Sequence, residues 1–465
     1  MVFRRKAKSR SFNLRMKLVD RHGRHDRRFC YRNFGWFLCS LSLYFFSSYL
    51  ISSSSSTTAF LHKTTVSTSR TSIVSSALFE TNTTLSQQPR SQKPVLSRGL
   101  FNDLKVYLYN LPSKYNNDWL ANKRCSSHLF AAEVAIHKAL LSSDVRTLDP
   151  WEADFFFVPV YVSCNFSTEN GFPAIGHARS LLASAVRVIS FEMPFWNRSG
   201  GADHVFVASH DYGACFHAVE ELAIADGIPE FLKRSIILQT FGVTYRHPCQ
   251  DVENVLIPPY VSPESIRALE SRKRDIWVFF RGKIEVHPKN VSGRFYSKRL
   301  RTVIWKKYNR HRKFYLKRQR YDGYQSEMVR SVFCLCPSGW APWSPRLVES
   351  VALGCVPVII ADGIRFPFPD IVRWPHISLT VAEKDVGKLW RILKHVAATN
   401  LSDIQRNLWD PVNRRALLFH HSIKEGDATW QVTRMNLTLL DLISRNLCVS
   451  SPRLICLLHY NAASL

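Results

Sequence analysis

The sequence predicts an α/β protein whose globular part contains two parallel-sheet halves. From Leu104 onward, short buried apolar runs alternate with helical patterns, which is typical of parallel strands joined by right-handed helical crossovers. A proline-rich break at 258–263 divides this alternation into two sets. After the break, residues 333–362 have the pattern of strand, loop, helix, tight turn and strand.

The first half is expected over residues 101–265, as a parallel sheet with helical crossovers. The strand patterns are Lys105–Tyr109, Asp154–Val160, His204–Ala208, Ser235–Thr240 and Asn254–Ile257. The helical patterns are His128–Leu141, Ala174–Ile189 and Cys215–Ala225.

The second half is expected over residues 266–445 and begins with a strand at Asp275–Phe280. A helix around Arg299–Tyr308 is predicted to turn three apolar side chains inward: Leu300, Val303 and Ile304. Helices dominate from Glu383 to about Ser444, and an apolar tail at 446–465 follows.

Residues 333–362 carry the clearest functional pattern. Strands Val332–Cys336 and Cys355–Ala361 flank a helix at Arg346–Leu353, with Pro345 suited to its first turn and Gly354 to its C-terminal cap. Ligands bind at the carboxyl edge of such sheets, where a helix N-terminus offers N–H groups to phosphate. The alternative is an ordinary crossover with no ligand. Two charged residues on this otherwise apolar helix, Arg346 and Glu349, favour a ligand site.

The N-terminal part has the pattern of a membrane anchor. Residues 1–33 hold twelve Lys or Arg against two acids, and residues 34–51 contain no charge. This predicts a type II signal anchor with its basic tail in the cytosol, and its short length fits a Golgi membrane. A cleaved signal peptide is the competing interpretation. Residues 52–100 contain 22 Ser or Thr among 49, which predicts a flexible stem.

Features beyond the anchor agree with a lumenal, oxidising environment. Nine of the eleven cysteines lie there, and four outside the second half are the candidates for disulfide pairing, in no assigned order: Cys125, Cys164, Cys215 and Cys249. Cys334 and Cys336 lack a second pair at metal-ligand spacing, so they are interpreted as parts of a buried strand. Six glycosylation sequons occur, at Asn82, Asn165, Asn197, Asn290, Asn400 and Asn436.

The net charge of +27 does not by itself indicate nucleic-acid binding. Part of it is the basic tail, a topology signal, and lumenal exposure excludes nucleic acid as a partner. A second block, 281–320, holds fifteen Lys or Arg against one acid. We interpret most of these as the solvated face of a helix, the alternative being a patch for a diphosphate, a uronate or an acidic glycan.

Several motifs together resemble the exostosin family, glycosyltransferase family 47. In the second half they are Arg281-Gly282, residues 333–363 (FCLCPSGWAPWSPRLVESVALGCVPVIIADG) and Pro367–Trp374. In the first half they are LKVYLYNLPSKY, RTLDPWEADFFFVPVYVSC, PFWNRSGGADHVFVASHDYGACF and IILQTFGVTYRHPC. The similarity covers roughly residues 101–445 and is greatest to the plant fragile-fiber branch. It implies two Rossmann-like domains of the GT-B type facing a central cleft.

The resemblance implies an inverting transfer from a UDP-sugar and assigns residues to it. Glu349 would hold the ribose hydroxyls, and Arg281 and Arg346 the diphosphate, because guanidinium groups match phosphate oxygens. The alternatives are a solvated or capping Glu349, a surface Arg281 and a plain Arg346–Glu349 ion pair. Three small residues are further donor candidates, although loop geometry explains them equally: Ser338, Gly339 and Ser344.

The catalytic base is expected from the first half, across the cleft. Asp211 and His210 follow a predicted strand end and are the candidates. His204 is also explained as a structural histidine, and Asp154 as a residue that caps or starts a strand. No D-x-D motif occurs, which agrees with a metal-independent reaction and no cofactor.

The resulting expectation is a Golgi glucuronosyltransferase acting on xylan or xylo-oligosaccharides in secondary-wall synthesis. Other wall-synthesis transferases are candidate partners. The alternatives are a non-catalytic subunit of a synthase complex, a lumenal glycan-binding module, and a transferase of galacturonic acid, xylose, arabinose or galactose.

Overall fold

The computed structural model describes residues 104–164, 177–252, 254–267, 273–286, 296–319, 321 and 323–435. The expected basic tail, anchor, stem and C-terminal tail lie outside these residues, as do four sequons: Asn82, Asn165, Asn290 and Asn436. Within the described part of the chain, no helix has both the length and the apolar character that crossing a bilayer requires. The other two sequons, Asn197 and Asn400, are exposed.

The prediction of an α/β fold with two parallel sheets is confirmed. The first sheet has the strand order β2-β1-β3-β4-β5-β6, with all neighbours parallel. Its strands are β1 (Val106–Leu108), β2 (Arg146–Thr147), β3 (Phe155–Phe157), β4 (His204–Ala208), β5 (Ile236–Gln239) and β6 (Asn254–Leu256). Its helices are α1 (Arg124–Ser127), α2 (Ala132–Leu141), α3 (Ala178–Glu192), α4 (Phe195–Ser199), α5 (Glu220–Asp226) and α6 (Pro263–Arg267).

The second sheet has the order β11-β10-β9-β7-β8 and is also parallel throughout. Its strands are β7 (Ile276–Arg281), β8 (Phe314–Lys317), β9 (Ser331–Pro337), β10 (Val356–Ile360) and β11 (Leu379–Thr380). Its helices are α7 (Leu300–Tyr308), α8 (Gln325–Val329), α9 (Pro345–Ala352), α10 (Trp374–Ile377), α11 (Leu389–Thr399), α12 (Leu401–Leu408) and α13 (Pro411–Ala416). Short 3₁₀ turns connect several elements, at Ser113–Tyr115, Asn117–Ala121, Gly213–Cys215, Glu230–Leu232, Pro248–Gln250 and Glu383–Lys388.

Strands covered on both faces explain the continuous apolar runs of the sequence. All residues of β3, β4 and β10 are buried. The β9–α9–β10 unit matches its prediction, and Gly354 follows the helix with φ of 68°, a left-handed conformation that glycine adopts without strain.

The loops at the carboxyl edges of the two sheets contact each other. The Tyr212 hydroxyl, after β4, donates to the carbonyl of Trp340, after β9, at 3.3 Å. A backbone bridge joins Val243 to Ile364, which follow β5 and β10. Trp343, although it lies in the second half of the sequence, packs in the apolar core of the first sheet. These contacts place the site at the junction of the two carboxyl edges.

Two local predictions are wrong. The segment from Cys215 is a 3₁₀ turn followed by α5 rather than one helix, because Phe216 has a φ of 47°, a left-handed conformation that interrupts a right-handed helix. In α7, Leu300 and Ile304 point inward as predicted, but Val303 is 47% exposed and Arg301 is buried instead.

The cysteines pair in three disulfides within the described residues. All four candidates of the first half pair, as Cys125–Cys164 and Cys215–Cys249. The third bond, Cys334–Cys355, joins β9 to the residue before β10 and was not predicted. Cys336 is a buried free thiol on the same strand.

Candidate functional site

The N-terminus of α9 forms the base of the candidate site. Ser344 caps the helix, its hydroxyl oxygen accepting the backbone N–H of Arg346 at 3.4 Å, and Pro345 occupies the first turn. The helix is buried along its length. Its two charged residues, Arg346 and Glu349, therefore point into the protein interior rather than into solvent.

Arg346 is 9% exposed and only partly hydrogen-bonded. Its Nη2 donates to the carbonyl of Arg281 at 2.8 Å and its Nη1 to the hydroxyl of Ser344 at 3.2 Å. Its guanidinium lies 4.8 Å from the ring centre of Phe280. Its Nε has no partner in the described structure. Arg346 thus keeps a donor available at the helix entrance.

Arg301, on α7, is a second buried arginine, and it was not predicted from the sequence. It is 6% exposed and donates to the carbonyls of Ser338 and Pro337 at 2.9 and 3.1 Å and to the hydroxyl of Tyr296 at 2.6 Å. Burial lowers its pKa to about 10, and the nearby charge of Arg346 acts in the same direction. The loop after β9 is therefore held by a cation.

These two guanidinium groups share an unusual environment. Among the described residues, Arg301 and Arg346 are the buried arginines, and no described carboxylate lies within 4.0 Å of either. Burying a cation with no carboxylate in contact costs several kcal/mol. Arg346 and Glu349 influence each other electrostatically but form no ion pair within 4.0 Å, so the alternative of a plain Arg346–Glu349 ion pair is not what the structure shows. The arrangement suits a polyanionic ligand at the start of α9.

Glu349 lies one turn further along α9 and has one unused oxygen. Its Oε1 accepts from the hydroxyl of Tyr324 and from Nε2 of Gln325 at 3.2 Å, whereas its Oε2 has no partner in the described structure. Burial raises the pKa of Glu349, while the Tyr324 bond and the charge of Arg346 oppose that shift. A hydroxyl group of a ligand would supply the hydrogen bond that the buried Oε2 of Glu349 lacks.

Arg281 differs from the two buried arginines because it already has a carboxylate partner. Its Nε and Nη2 donate to the two carboxylate oxygens of Glu327 at 2.7 and 2.5 Å, and its Nη1 to the carbonyl of Gln319 at 2.9 Å. The hydrogen bonds from Arg281 to Glu327 raise the pKa of Arg281. Its expected role at a diphosphate stays a prediction, and its carbonyl is what positions Arg346.

Ser338 and Gly339 serve the geometry of the loop. The Ser338 hydroxyl donates to the carbonyl of Ile360 at 3.4 Å, and the Gly339 N–H donates to the carbonyl of Ala341 at 3.0 Å. Their role as donors to a ligand stays a prediction.

The two base candidates follow β4 and differ in environment. Asp211 is partly exposed, and burial raises its pKa to about 7, opposed by the charge of Arg301 from the other half. His210 is buried against Phe130, and burial together with the charges of His128 and His217 lowers its pKa to about 3. Asp211 is therefore the group that titrates in the physiological range.

The contacts of His204 and Asp154 agree with the interpretation of both as structural residues. His204 is fully buried, with Nε2 at 2.9 Å from the hydroxyl of Tyr109 and Nδ1 at 2.7 Å from Asp203. Asp154 accepts the backbone N–H of Lys105 at 2.8 Å, which joins the starts of two neighbouring strands.

Residues 101–396 match the family model of the Exostosin GT47 domain. This chain belongs to the exostosin GT47 family. The expectation of a glycosyltransferase is thereby confirmed. The family match covers both sheets, including the β9–α9–β10 unit.

Two exostosin relatives from Arabidopsis thaliana are especially similar. The probable glucuronoxylan glucuronosyltransferase IRX7 is 63% identical over 433 residues, which are 89% of this chain and 95% of that protein. A second probable glucuronoxylan glucuronosyltransferase of the same plant is 63% identical over 403 residues, 85% and 84% of the two chains. A crystal structure of Anabaena Alr3699/HepE with UDP and glucose aligns at 10% identity and a TM-score of 0.32, over 74% of this chain and 99% of that chain.

The residues that orient the predicted site residues were not found from the sequence. Arg301 lies in the basic block 281–320, most of whose Lys and Arg are interpreted as a solvated helix face, and no motif in that block singles it out. Tyr324 and Gln325 precede and begin α8 without any motif of their own. A sequence signal for Arg301 did exist, since it lies next to Leu300 on the apolar side of α7.

Proposed function

We propose that this exostosin GT47 protein is a Golgi glucuronosyltransferase that transfers glucuronic acid from UDP-glucuronic acid to glucuronoxylan or a related xylan. The observation that carries the proposal is the pair of buried arginines without a carboxylate partner beside Glu349, whose Oε2 is unused. The names of the two Arabidopsis relatives support the glucuronic acid and the xylan.

The donor nucleotide would occupy the entrance of α9. Arg346 and Arg301 would stabilise the diphosphate, whose negative charge increases as it leaves. Glu349 would accept a hydrogen bond from a ribose hydroxyl through Oε2, while Tyr324 holds its Oε1. Arg281 would contribute through its carbonyl, which fixes Arg346. This arrangement belongs to a GT-B type of site, with donor residues supplied by the second sheet.

The acceptor would approach from the first sheet. Asp211 would take the proton of the acceptor hydroxyl as that oxygen bonds to the anomeric carbon and the bond from that carbon to the diphosphate breaks. The products would be the extended glycan, with inverted configuration, UDP and protonated Asp211. Because the acceptor oxygen displaces the diphosphate in a single step, no covalent intermediate between the sugar and the enzyme is needed.

The membrane placement belongs to the same proposal. The basic residues 1–33 and the uncharged stretch 34–51 support a type II anchor in the Golgi membrane with the catalytic part in the lumen. A shift in gel mobility on deglycosylation that is smaller for Asn197→Gln combined with Asn400→Gln than for the wild type would support lumenal exposure of the described part.

Metal independence is proposed as well. No D-x-D motif is present, and the two buried arginines supply positive charge where other transferases use a divalent cation. Transfer that persists in excess chelator would support this, and transfer that is abolished and then restored by a divalent metal would refute it.

The deciding experiment is UDP binding by the full chain, measured by calorimetry, followed by transfer assays with a panel of UDP-sugars and xylo-oligosaccharides. Glu349→Gln and Arg346→Ala are each expected to weaken UDP binding at least tenfold, from the loss of a charge-assisted hydrogen bond worth roughly 1.5–3 kcal/mol. Glu192→Gln, on the exposed end of α3, is the matched control. Unchanged UDP binding and turnover in Glu349→Gln would refute the role given to Glu349, a wild-type chain that transfers no sugar would favour a non-catalytic subunit, and transfer of a neutral sugar alone would replace the glucuronosyl assignment.

A further inference from the structure

A cationic and aromatic surface borders the two buried arginines on their solvent side. It consists of Lys283, Tyr296 and Trp340, here called the Lys283 surface. The Lys283 ammonium lies 4.8 Å from the ring centre of Tyr296 and 5.5 Å from that of Trp340, and the two rings are 5.0 Å apart at 71°. The side chain of Lys283 is 46% exposed and Trp340 is 44% exposed, so both are accessible to a ligand, whereas Tyr296 is buried and packs against both.

The Lys283 surface is continuous with the donor site. The hydroxyl of Tyr296 accepts from Nη1 of Arg301 at 2.6 Å, and the carbonyl of Lys283 accepts from the same atom at 3.4 Å. The residue before Lys283, Gly282, has so little room that an added Cβ would lie 3.0 Å from Nη2 of Arg346. The surface therefore lies immediately outside the proposed diphosphate position.

The same surface also faces the first sheet. Trp340 is held there by the hydroxyl of Tyr212, which donates to its carbonyl at 3.3 Å. Tyr212 follows Asp211, the proposed base. A sugar at the Lys283 surface would thus lie near both the departing diphosphate and the deprotonating carboxylate.

The chemistry of the surface selects an anionic sugar. An exposed aromatic ring stacks on the apolar face of any pyranose, charged or neutral. The Lys283 ammonium, 5.5 Å from the centre of the Trp340 ring, adds a charge-assisted hydrogen bond that only a carboxylate-bearing sugar makes. We propose that Lys283, Tyr296 and Trp340 form a subsite for the carboxylate of a uronic acid, carried either by the donor or by the acceptor glycan. The inference rests on the proposed function, which gives the neighbouring nucleotide site.

Glu285 is the present partner of Lys283, with its Oε1 at 3.0 Å from the ammonium. An ion pair this exposed contributes little net free energy, because solvent screens it and both side chains lose freedom. The carboxylate of a sugar held by Trp340 and by the nucleotide site can therefore replace Glu285. Glu285 therefore competes with the sugar carboxylate for Lys283. Substitutions of Lys283 and Glu285 should change the preference for a uronic acid in opposite directions.

The test compares UDP-glucuronic acid with UDP-glucose, which differ in that carboxylate. Lys283→Ala is expected to lower the ratio of their kcat/KM values roughly tenfold, the effect of losing a hydrogen bond between charged groups. Glu285→Gln is expected to raise the ratio, and Lys283→Arg to restore most of it. Lys394→Ala, an exposed lysine on α11, is the control expected to leave it unchanged. A Lys283→Ala variant that alters neither this donor ratio nor the acceptor ratio described next would overturn the proposal.

Two acceptors identify the source of the carboxylate. With a neutral xylo-oligosaccharide, a charge-dependent effect of Lys283→Ala assigns the subsite to the donor sugar. A lower kcat/KM of Lys283→Ala for a xylo-oligosaccharide that already carries a glucuronic acid branch, relative to the neutral one and to the same extent with both donors, assigns it to the acceptor. Calorimetry separates the nucleotide site from the uronic acid subsite. A wild-type chain that binds no UDP would refute the nucleotide site. If that chain still bound a free aldouronic acid, and Lys283→Ala abolished this binding, the subsite would remain supported.

Discussion

Glu133 accepts hydrogen bonds from both the backbone N–H and the hydroxyl of Ser163, at 2.9 and 2.5 Å, in the interior of the first half. Its Oε1 also accepts from the hydroxyl of Ser209 at 3.2 Å, and the carbonyl of Ser209 accepts from the hydroxyl of Thr240 at 3.0 Å. Glu133 is on α2, and the three hydroxyl residues follow β3, β4 and β5. One buried carboxyl group therefore links the strand ends next to Asp211.

Glu133 makes the stability of the protein depend on pH in a specific direction. Burial raises its pKa from 4.5 to about 8, although the bonds from Ser163 oppose that shift. Because the folded-state pKa is the higher one, its contribution to stability is complete below about pH 4.5 and is lost as the pH rises through about 8. The slope approaches about 1.4 kcal/mol per pH unit in that window.

We therefore expect Glu133→Gln to remove this slope from the free energy of unfolding, measured by urea denaturation at several pH values. Glu192→Gln, exposed on α3, should keep the wild-type profile. Glu133→Ala should lose stability at every pH, since it removes the acceptor of the buried backbone N–H of Ser163. Parallel profiles for wild type and Glu133→Gln would show that Glu133 does not titrate in this range.

The pH dependence of transfer distinguishes the two base candidates. Asp211, with a pKa of about 7, must lose its proton before it can act, so kcat/KM should rise with pH up to about 7. A His210 base, with a pKa of about 3, would be deprotonated throughout and would give a flat profile there. We predict the rising limb, and a loss of roughly 10²–10⁴-fold for Asp211→Asn. An unaltered acidic limb in Asp211→Asn would refute the assignment.

The elements that could be predicted are those whose ends or apolar runs are marked by particular residues in the sequence. Pro345 and Gly354 mark the two ends of α9, so its position was predicted to within a residue. Strand β4 was predicted at its observed bounds, His204–Ala208, because Val205 to Ala208 form a continuous apolar run. Arg346 and Glu349 could be identified because charge on a buried helix is a local signal.

The position of Arg301 next to Leu300 is compatible with burial, but the orientation of α7 that buries it could not be predicted, for a physical reason. Ser297, Lys298 and Arg299 all have positive φ, 54°, 47° and 62°, and none is a glycine that would signal it. This left-handed run sets the direction in which α7 begins. Arg301 consequently turns inward and Val303 outward. Tyr324 is likewise brought to Glu349 by tertiary packing, which no local pattern encodes.

Tyr324 is predicted to control donor affinity through Glu349. Its hydroxyl donates to Oε1 of Glu349, which has no other partner than Gln325 in the described structure. Tyr324→Phe leaves that buried carboxylate less satisfied, at a cost of roughly 1–3 kcal/mol. UDP binding, measured by calorimetry, should therefore weaken about 5- to 100-fold. Tyr321→Phe, whose ring is exposed, is the matched control, and equal affinities for both variants would contradict this role.

The Cys334–Cys355 disulfide encloses the whole donor loop. The two cysteines are 21 residues apart, and the segment between them contains Ser338, Ser344 and α9. A cross-link over a loop of this length stabilises a protein by about 3 kcal/mol in the chain-entropy treatment. We expect Cys334→Ala/Cys355→Ala to lower the free energy of unfolding by about this amount, measured with urea under non-reducing conditions, beyond the effect of shortening the buried side chains.

Cys336→Ala is the matched control, since Cys336 is a buried free thiol on the same strand. It loses a comparable side chain but no cross-link, so its free energy of unfolding should fall by much less than that of the double variant. Because the cross-link fixes β9 against β10, the double variant should also bind UDP more weakly at temperatures where it remains folded. A double variant as stable as Cys336→Ala would show that strand pairing alone holds the donor loop, through the register that places Phe333 opposite Val356 and Pro337 opposite Ile360.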